Sequence, residues 1–126
     1  MSAEDAALLA QLTAEIAAAG FDPPEWTKLQ TIVPLSKQRA KLLEDLAKTE
    51  AALVGYGPQM FISSASFEKF KQAVAAIGAG GRKFKLADVR DKLNLTRRVV
   101  QPLLEQLDRI QFTKRVGDER VLVEPR

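Results

Sequence analysis

The sequence contains no cysteine and no histidine. Those two absences remove disulfides, thiolate nucleophiles, zinc sites of the Cys/His kind and any Ser-His-Asp triad. Aromatic residues are scarce, with one Trp and one Tyr, so stacking platforms for single-stranded nucleic acid are few. No apolar run approaches the length that spans a bilayer. The acidic, alanine-rich start lacks the basic flank of a signal peptide; a cytoplasmic location without membrane contact is expected. Neither G-x-x-x-x-G-K-[ST] nor G-x-G-x-x-G occurs. The "GAGG" from Gly78 to Gly81 leads into no Lys-Ser/Thr and no helix start, so it reads as a flexible connection. Carboxylates do not cluster at calcium-loop spacing. Catalysis and metal binding are therefore not expected.

What is present is an ordinary globular composition, 46% hydrophobic and 28% charged, over 126 residues. That length suits one domain or two very small ones. The net charge of +3 hides an asymmetry: residues 1–63 hold five basic against eight acidic side chains (net −3), and residues 64–126 hold fourteen against eight (net +6). A basic half beside an acidic one points to a polyanionic partner for the second.

The chain also repeats itself. "LSKQRAKLLEDL" begins at Leu35 and "LTRRVVQPLLEQL" at Leu95, an offset of 60 that becomes 61 at "LLEDL" and "LLEQL" through one inserted residue. Before each copy lies a helical pattern: Ala3 to Ala19, with Leu8, Leu9, Leu12 and Ile16 at helical spacing and Gly20 as the stop, and Ser66 to Ile77, capped by Ser64 or Ser66 and stopped by Gly78. A short helix precedes each core, Glu25 to Val33 and Leu86 to Leu93. After each core comes a strand–turn–strand reading: Ala51 to Ser63 turning at Gly57-Pro58, and Gln111 to Glu124 turning at Gly117-Asp118. "KFKL" at Lys83 offers a short further strand. Helix–turn–helix followed by a β-hairpin is the winged-helix plan. The expected fold is mainly α (α+β), two tandem winged helices over 1–63 and 64–126.

In such a unit the second helix of the helix–turn–helix presents its first turn to nucleic acid, and the wing adds contacts. The second core helix reads as starting at Thr96, with Val99, Val100, Leu103, Leu104, Leu107 and Ile110 buried and Arg98, Gln101, Glu105 and Arg109 on the opposite face. Arg97 and Arg98 oppose the helix macrodipole, at a cost of about 0.3–1 kcal/mol each. A phosphate bound at that end reverses the sign of the argument. Pro102 cannot donate to the carbonyl of Arg98; a packing-set kink is the favoured reading, an acceptor near the ligand the other. Lys114, Arg115 and Arg120 surround the wing turn, and Arg82, Lys83 and Lys85 precede the short helix. The first wing, "LVGYGPQMF", is uncharged. Trp26, Phe84 and Phe112 read as packing residues. Asp118 reads as a turn residue first and a guanine acceptor second.

Lys83 to Leu122 resembles the last winged helix of the bacterial selenocysteine-specific elongation factor SelB. The resemblance rests on "ADVRD", on "TRR" with a proline soon after, on "PLLEQLDR" and on "TKRVGDERVL". It implies a C-terminal, non-enzymatic fragment that binds the selenocysteine insertion hairpin of an mRNA. GTP, Mg and selenocysteinyl-tRNA would belong only to N-terminal domains outside this sequence, with the ribosome a further candidate partner. The implied RNA surface is Lys83, Lys85, Thr96, Arg97, Arg98, Gln101, Lys114, Arg115, Gly117, Asp118 and Arg120, on a monomer with no cofactor of its own. The acidic first unit would be a spacer or face protein. A tandem winged-helix DNA-binding regulator and a protein-interaction module remain the rival readings.

Overall fold

The computed structural model describes residues 2–49 and 52–123. The ends of the expected hairpin segments, Ala51 and Glu124, lie outside them. The chain divides into two compact units, Met1–Phe67 and Glu68–Arg126, and no described helix is long and apolar enough to cross a membrane.

The first unit holds α1 (Ala3–Ala18), α2 (Trp26–Ile32), α3 (Lys37–Thr49), and the antiparallel strands β1 (Leu53–Gly57) and β2 (Met60–Ser63). Ser2 caps α1 by accepting the N–H of Asp5, and Glu4 and Asp5 suit the positive end of its dipole. Leu9, Leu12 and Ile16 turn one face of α1 into a core with Trp26, Leu29, Val33, Leu43, Ala47, Leu53 and Phe61. Each of its leucine, isoleucine, valine and phenylalanine side chains, fully buried, contributes about 1.5–3 kcal/mol. Trp26 packs its ring edge on Phe61 at a centroid distance of 5.6 Å, as the packing reading expects. Arg39 of α3 clasps the start of α1 through Glu4 (3.1 Å) and Asp5 (3.0 Å). The hydrogen bond to Glu4, with both carboxylates adding charge, holds its pKa above the ordinary arginine value.

The hairpin turns one residue later than expected. Gly57 is the last residue of β1 and pairs with Met60, leaving Pro58 and Gln59 as the loop. Proline's fixed φ suits the first central position, and Gln59 takes the left-handed conformation (φ 61°) at the second. Its carbonyl accepts the N–H of Trp26 at 2.8 Å, which ties the loop to the start of α2.

Helix α4 (Ser64–Ile77) begins in the first unit and ends in the second. Its cap is Ser63, whose hydroxyl accepts the N–H of Ser66, rather than either expected serine. Beyond it come α5 (Leu86–Leu93), α6 (Arg97–Arg109) and the antiparallel strands β3 (Thr113–Val116) and β4 (Glu119–Leu122). Phe70, Val74, Phe84, Val89, Val100, Leu103, Leu104 and Leu107 are fully buried. The "GAGG" segment forms a 3-10 turn at Ala79–Gly81 instead of a loose connection. A Cβ on Gly78 would come within 3.0 Å of both Phe84 and Leu122, so glycine there permits close packing. The expected "KFKL" strand is reduced to one bridge, in which Phe84 and Arg120 exchange both backbone hydrogen bonds.

Helix α6 starts after Thr96, as the sequence implies, and runs unbroken through Pro102 for 13 residues. Ile110 does not continue the buried stripe: it follows the last turn and is 46% exposed. A Schellman arrangement closes the helix, with Phe112 N–H on the Leu107 carbonyl and Gln111 N–H on that of Asp108. Gln111 adopts the positive φ (61°) that glycine usually supplies.

Candidate nucleic-acid interface

Two groups of side chains make up the candidate surface of the second unit. The first stands on α6. Thr96, Arg97, Arg98 and Gln101 are all exposed, because the buried stripe faces the other way. Arg97 donates to the Gln101 amide oxygen (3.3 Å), and Gln101 donates to Glu105 (3.1 Å), a chain of contacts along the outer face. Thr96 occupies the cap position with extended backbone, yet its hydroxyl makes no cap hydrogen bond. The N–H groups of Val99 and Val100 turn to the Thr96 carbonyl instead, at 3.2 and 3.1 Å.

The second group surrounds the wing. Gly117 and Asp118 form its two-residue turn, with positive φ at Gly117 (68°), where a type II′ hairpin places glycine. Lys114 and Arg115 are exposed neighbours on β3 and point to opposite faces of the ribbon. They flank the same free edge, since β4 is bordered by β3 on one side and bridged to Phe84 on the other. Lys85 meets Asp118 at 3.7 Å, both exposed, a contact worth about 0–1 kcal/mol. It brings the 82–85 segment, including exposed Lys83, beside the wing tip. Asp118 thus has a role beyond its turn, as a counter-ion.

Arg120 departs from expectation. Its side chain is only 6% exposed and is held by Asp108, with Nε at 3.2 and 3.3 Å and Nη2 at 3.1 Å from the carboxylate oxygens. It sits directly opposite Arg115, on the face that also carries buried Thr113. Exposed Arg115 shares that face, so it is the pairing with Asp108, not strand alternation, that turns the Arg120 side chain inward and buries this expected contact residue. Asp108 itself was no sequence candidate; its signal was the need of an inward arginine for a buried partner.

Beside the β3 edge lies a groove of about 430 Å³ lined by Asp108, Gln111, Thr113, Lys114, Arg115 and Val123. Gln111 and Val123 escaped sequence reading, since neither charge nor motif marks them. The wing root anchors at Asp108, about 16 Å along α6 from Arg97 at the rise of a regular helix. A ligand that touches both ends of α6 is therefore a polymer rather than a single phosphate. Among the described residues no group of three Asp or Glu side chains is placed to hold a metal.

Fold and surface together define a tandem winged-helix protein whose cations are concentrated on one unit. Residues 77–122 match the family model of the elongation factor SelB winged helix, a non-catalytic domain, and that span contains the motifs that carried the resemblance. No curated protein sequence matches the chain. Among solved structures, the mRNA-binding domain of elongation factor SelB from E. coli in complex with SECIS RNA is similar at a TM-score of 0.76 and 21% identity, covering 98% of this chain and all of that one. A bacterial selenocysteine-specific elongation factor EF-Sec is similar at 0.71 and 23% identity; the match covers 98% of this chain and 19% of that one.

Proposed function

We propose that this chain binds an mRNA hairpin carrying a selenocysteine insertion signal, through its second unit. The observation that carries this reading is a coincidence on one segment. The span that matches the SelB winged helix, 77–122, is also where the exposed cations gather: Lys83, Lys85, Arg97, Arg98, Lys114 and Arg115. The solved E. coli domain with the same tandem fold was determined with SECIS RNA. The chain spans 19% of the EF-Sec factor. In this reading GTP, Mg and the aminoacyl-tRNA belong to other domains, and this part tethers them to the message in the cytoplasm, as a monomer and with no cofactor of its own. The ribosome and those domains would be its protein partners, met by the acidic first unit.

The mechanism follows from A-form geometry. The major groove of an RNA stem is too narrow for side chains, so sequence is read from loop or bulged bases. Arg97 and Arg98 at the α6 start, with Thr96 and Gln101 beside them, hold one stretch of backbone. Lys83, Lys114 and Arg115 hold another. The groove at the β3 edge is roomy enough for one splayed base, with Gln111 offering an amide to its edge and Val123 an apolar wall. A gel-shift series at two salt concentrations tests this. A SECIS hairpin should bind more tightly than duplex DNA of equal charge, and log K should fall with log salt at about −0.7 to −0.9 per phosphate neutralised. Tighter duplex binding would favour a DNA regulator; binding of neither polymer would favour a protein-interaction module.

A further inference from the structure

Arg120 joins every element that carries the proposed RNA contacts. Its backbone exchanges hydrogen bonds of 2.7 and 2.9 Å with Phe84, which stands between Lys83 and Lys85. Its guanidinium reaches Asp108 near the end of α6. Asp108 Oδ1 also accepts the hydroxyl of buried Thr113, at 2.6 Å, where β3 begins. Across the ribbon, Arg120 faces Arg115. Like charges directly opposite on one face destabilise a hairpin. The Asp108 carboxylate neutralises the buried arginine of this pair and leaves Arg115 as the solvent-exposed cation.

We infer that Asp108 and Arg120 are positioning residues for RNA binding. Through this part-buried ion pair the wing and the 82–85 segment are fixed against the recognition helix, and the exposed cations are held in register before RNA arrives. The inference rests on the RNA reading above. It separates from a direct phosphate contact by salt dependence, and from simple charge by the sign of one substitution.

The test uses the whole 126-residue chain and a SECIS hairpin. Asp108→Asn removes a negative charge from the basic unit, so charge alone makes binding tighter. Positioning makes it weaker, by about tenfold or more, with the salt slope unchanged. Arg120→Gln should lose affinity likewise without a change in slope, whereas Arg115→Ala lowers the slope by about 0.7–0.9. The double variant Asp108→Asn/Arg120→Gln should lose no more than either single one, as expected of residues that act through each other. In the free protein, amide exchange should quicken at Lys114 to Gly117 in Asp108→Asn and stay slow in α4, which distinguishes a loosened wing from an unfolded unit. Should Asp108→Asn unfold the unit, Arg120→Lys keeps the charge, loses the two-pronged contact and should bind several-fold more weakly. Wild-type binding with Asp108→Asn equal or tighter, or a slope reduced in Arg120→Gln, overturns the positioning role alone. Failure of the wild-type chain to bind the hairpin overturns the RNA reading, and this inference with it.

Discussion

Ser36 and Thr96 stand at the same place in two copies of one motif, and the copies treat them differently. The hydroxyl oxygen of Ser36 accepts the N–H of Arg39 and caps its own helix. Thr96 makes no such bond. The wings diverge in the same direction. In the first unit Leu53, Tyr56, Phe61, Ile62 and Ser63 are all buried, so the hairpin is part of the core. In the second, β3 buries only Thr113 and presents Lys114, Arg115 and Val116 to solvent. One scaffold thus closes its helix start and its hairpin upon itself, and the other leaves both open to a ligand. The difference lies in side chains, since both units keep the order of two short helices followed by a hairpin.

The leucines offer the largest effect by which to probe that divergence. Leu42 and Leu103 open "LLEDL" and "LLEQL", but the inserted residue puts Leu103 one place further from its helix start, so Leu42 is 46% exposed and Leu103 fully buried. Leu103→Ala should cost about 2–5 kcal/mol, the range for emptying a packed site. Leu42→Ala should stay within about 0.5 kcal/mol. Urea unfolding followed by far-UV circular dichroism reads both; Trp26 fluorescence, confined to the first unit, should be blind to the first change. Equal costs would mean that burial follows the motif rather than the count from the helix start.

A smaller effect is expected at the ligand. Lys37 and Arg97 each open their core helix and each is exposed. Arg97→Ala should weaken hairpin binding by about 1–3 kcal/mol and reduce the salt slope. Lys37→Ala should change neither, because the first unit carries net negative charge and an uncharged wing. Titrations of both variants at two salt concentrations decide it, and equal losses would place RNA on both units.

Much of this was legible in the sequence because the periodicities are strong. Helix α5 keeps the bounds read from "LADVRDKL", α6 starts where Thr96 implies, and the Gly117-Asp118 turn stands. Failures came where tertiary context chooses among local options. Ser63, Ser64 and Ser66 all suit a cap, and only the end of β2 selects Ser63. Gly57-Pro58 resembles a turn, but proline's φ fits the first central position and moves the loop on by one. Leu42 and Leu103 hold the same motif position, but the inserted residue turns the motif on the helix, so Leu103 takes the buried place of Leu43. For the site, counting cations singled out the second unit but could not tell exposed Arg115 from buried Arg120. The two share one face of the ribbon, so the distinction came from the partner at Asp108 rather than from the strand register.

The smallest effect is also the sharpest comparison. Ser36→Ala removes a cap and should cost about 1 kcal/mol of stability, within the usual range of 0.5–2. Thr96→Ala removes a hydroxyl that caps nothing, so it should cost no more than a few tenths of a kcal/mol in thermal unfolding. If that hydroxyl serves a phosphate at the helix start, Thr96→Ala should instead show as a several-fold loss in hairpin affinity at unchanged stability, since a hydroxyl contact contributes about 0.5–1.5 kcal/mol. Ser36→Ala should leave affinity as it was. The two variants then exchange readouts, stability for one and binding for the other. A Thr96→Ala protein that melts lower and binds as before would make Thr96 an ordinary cap and return the start of α6 to its own fold.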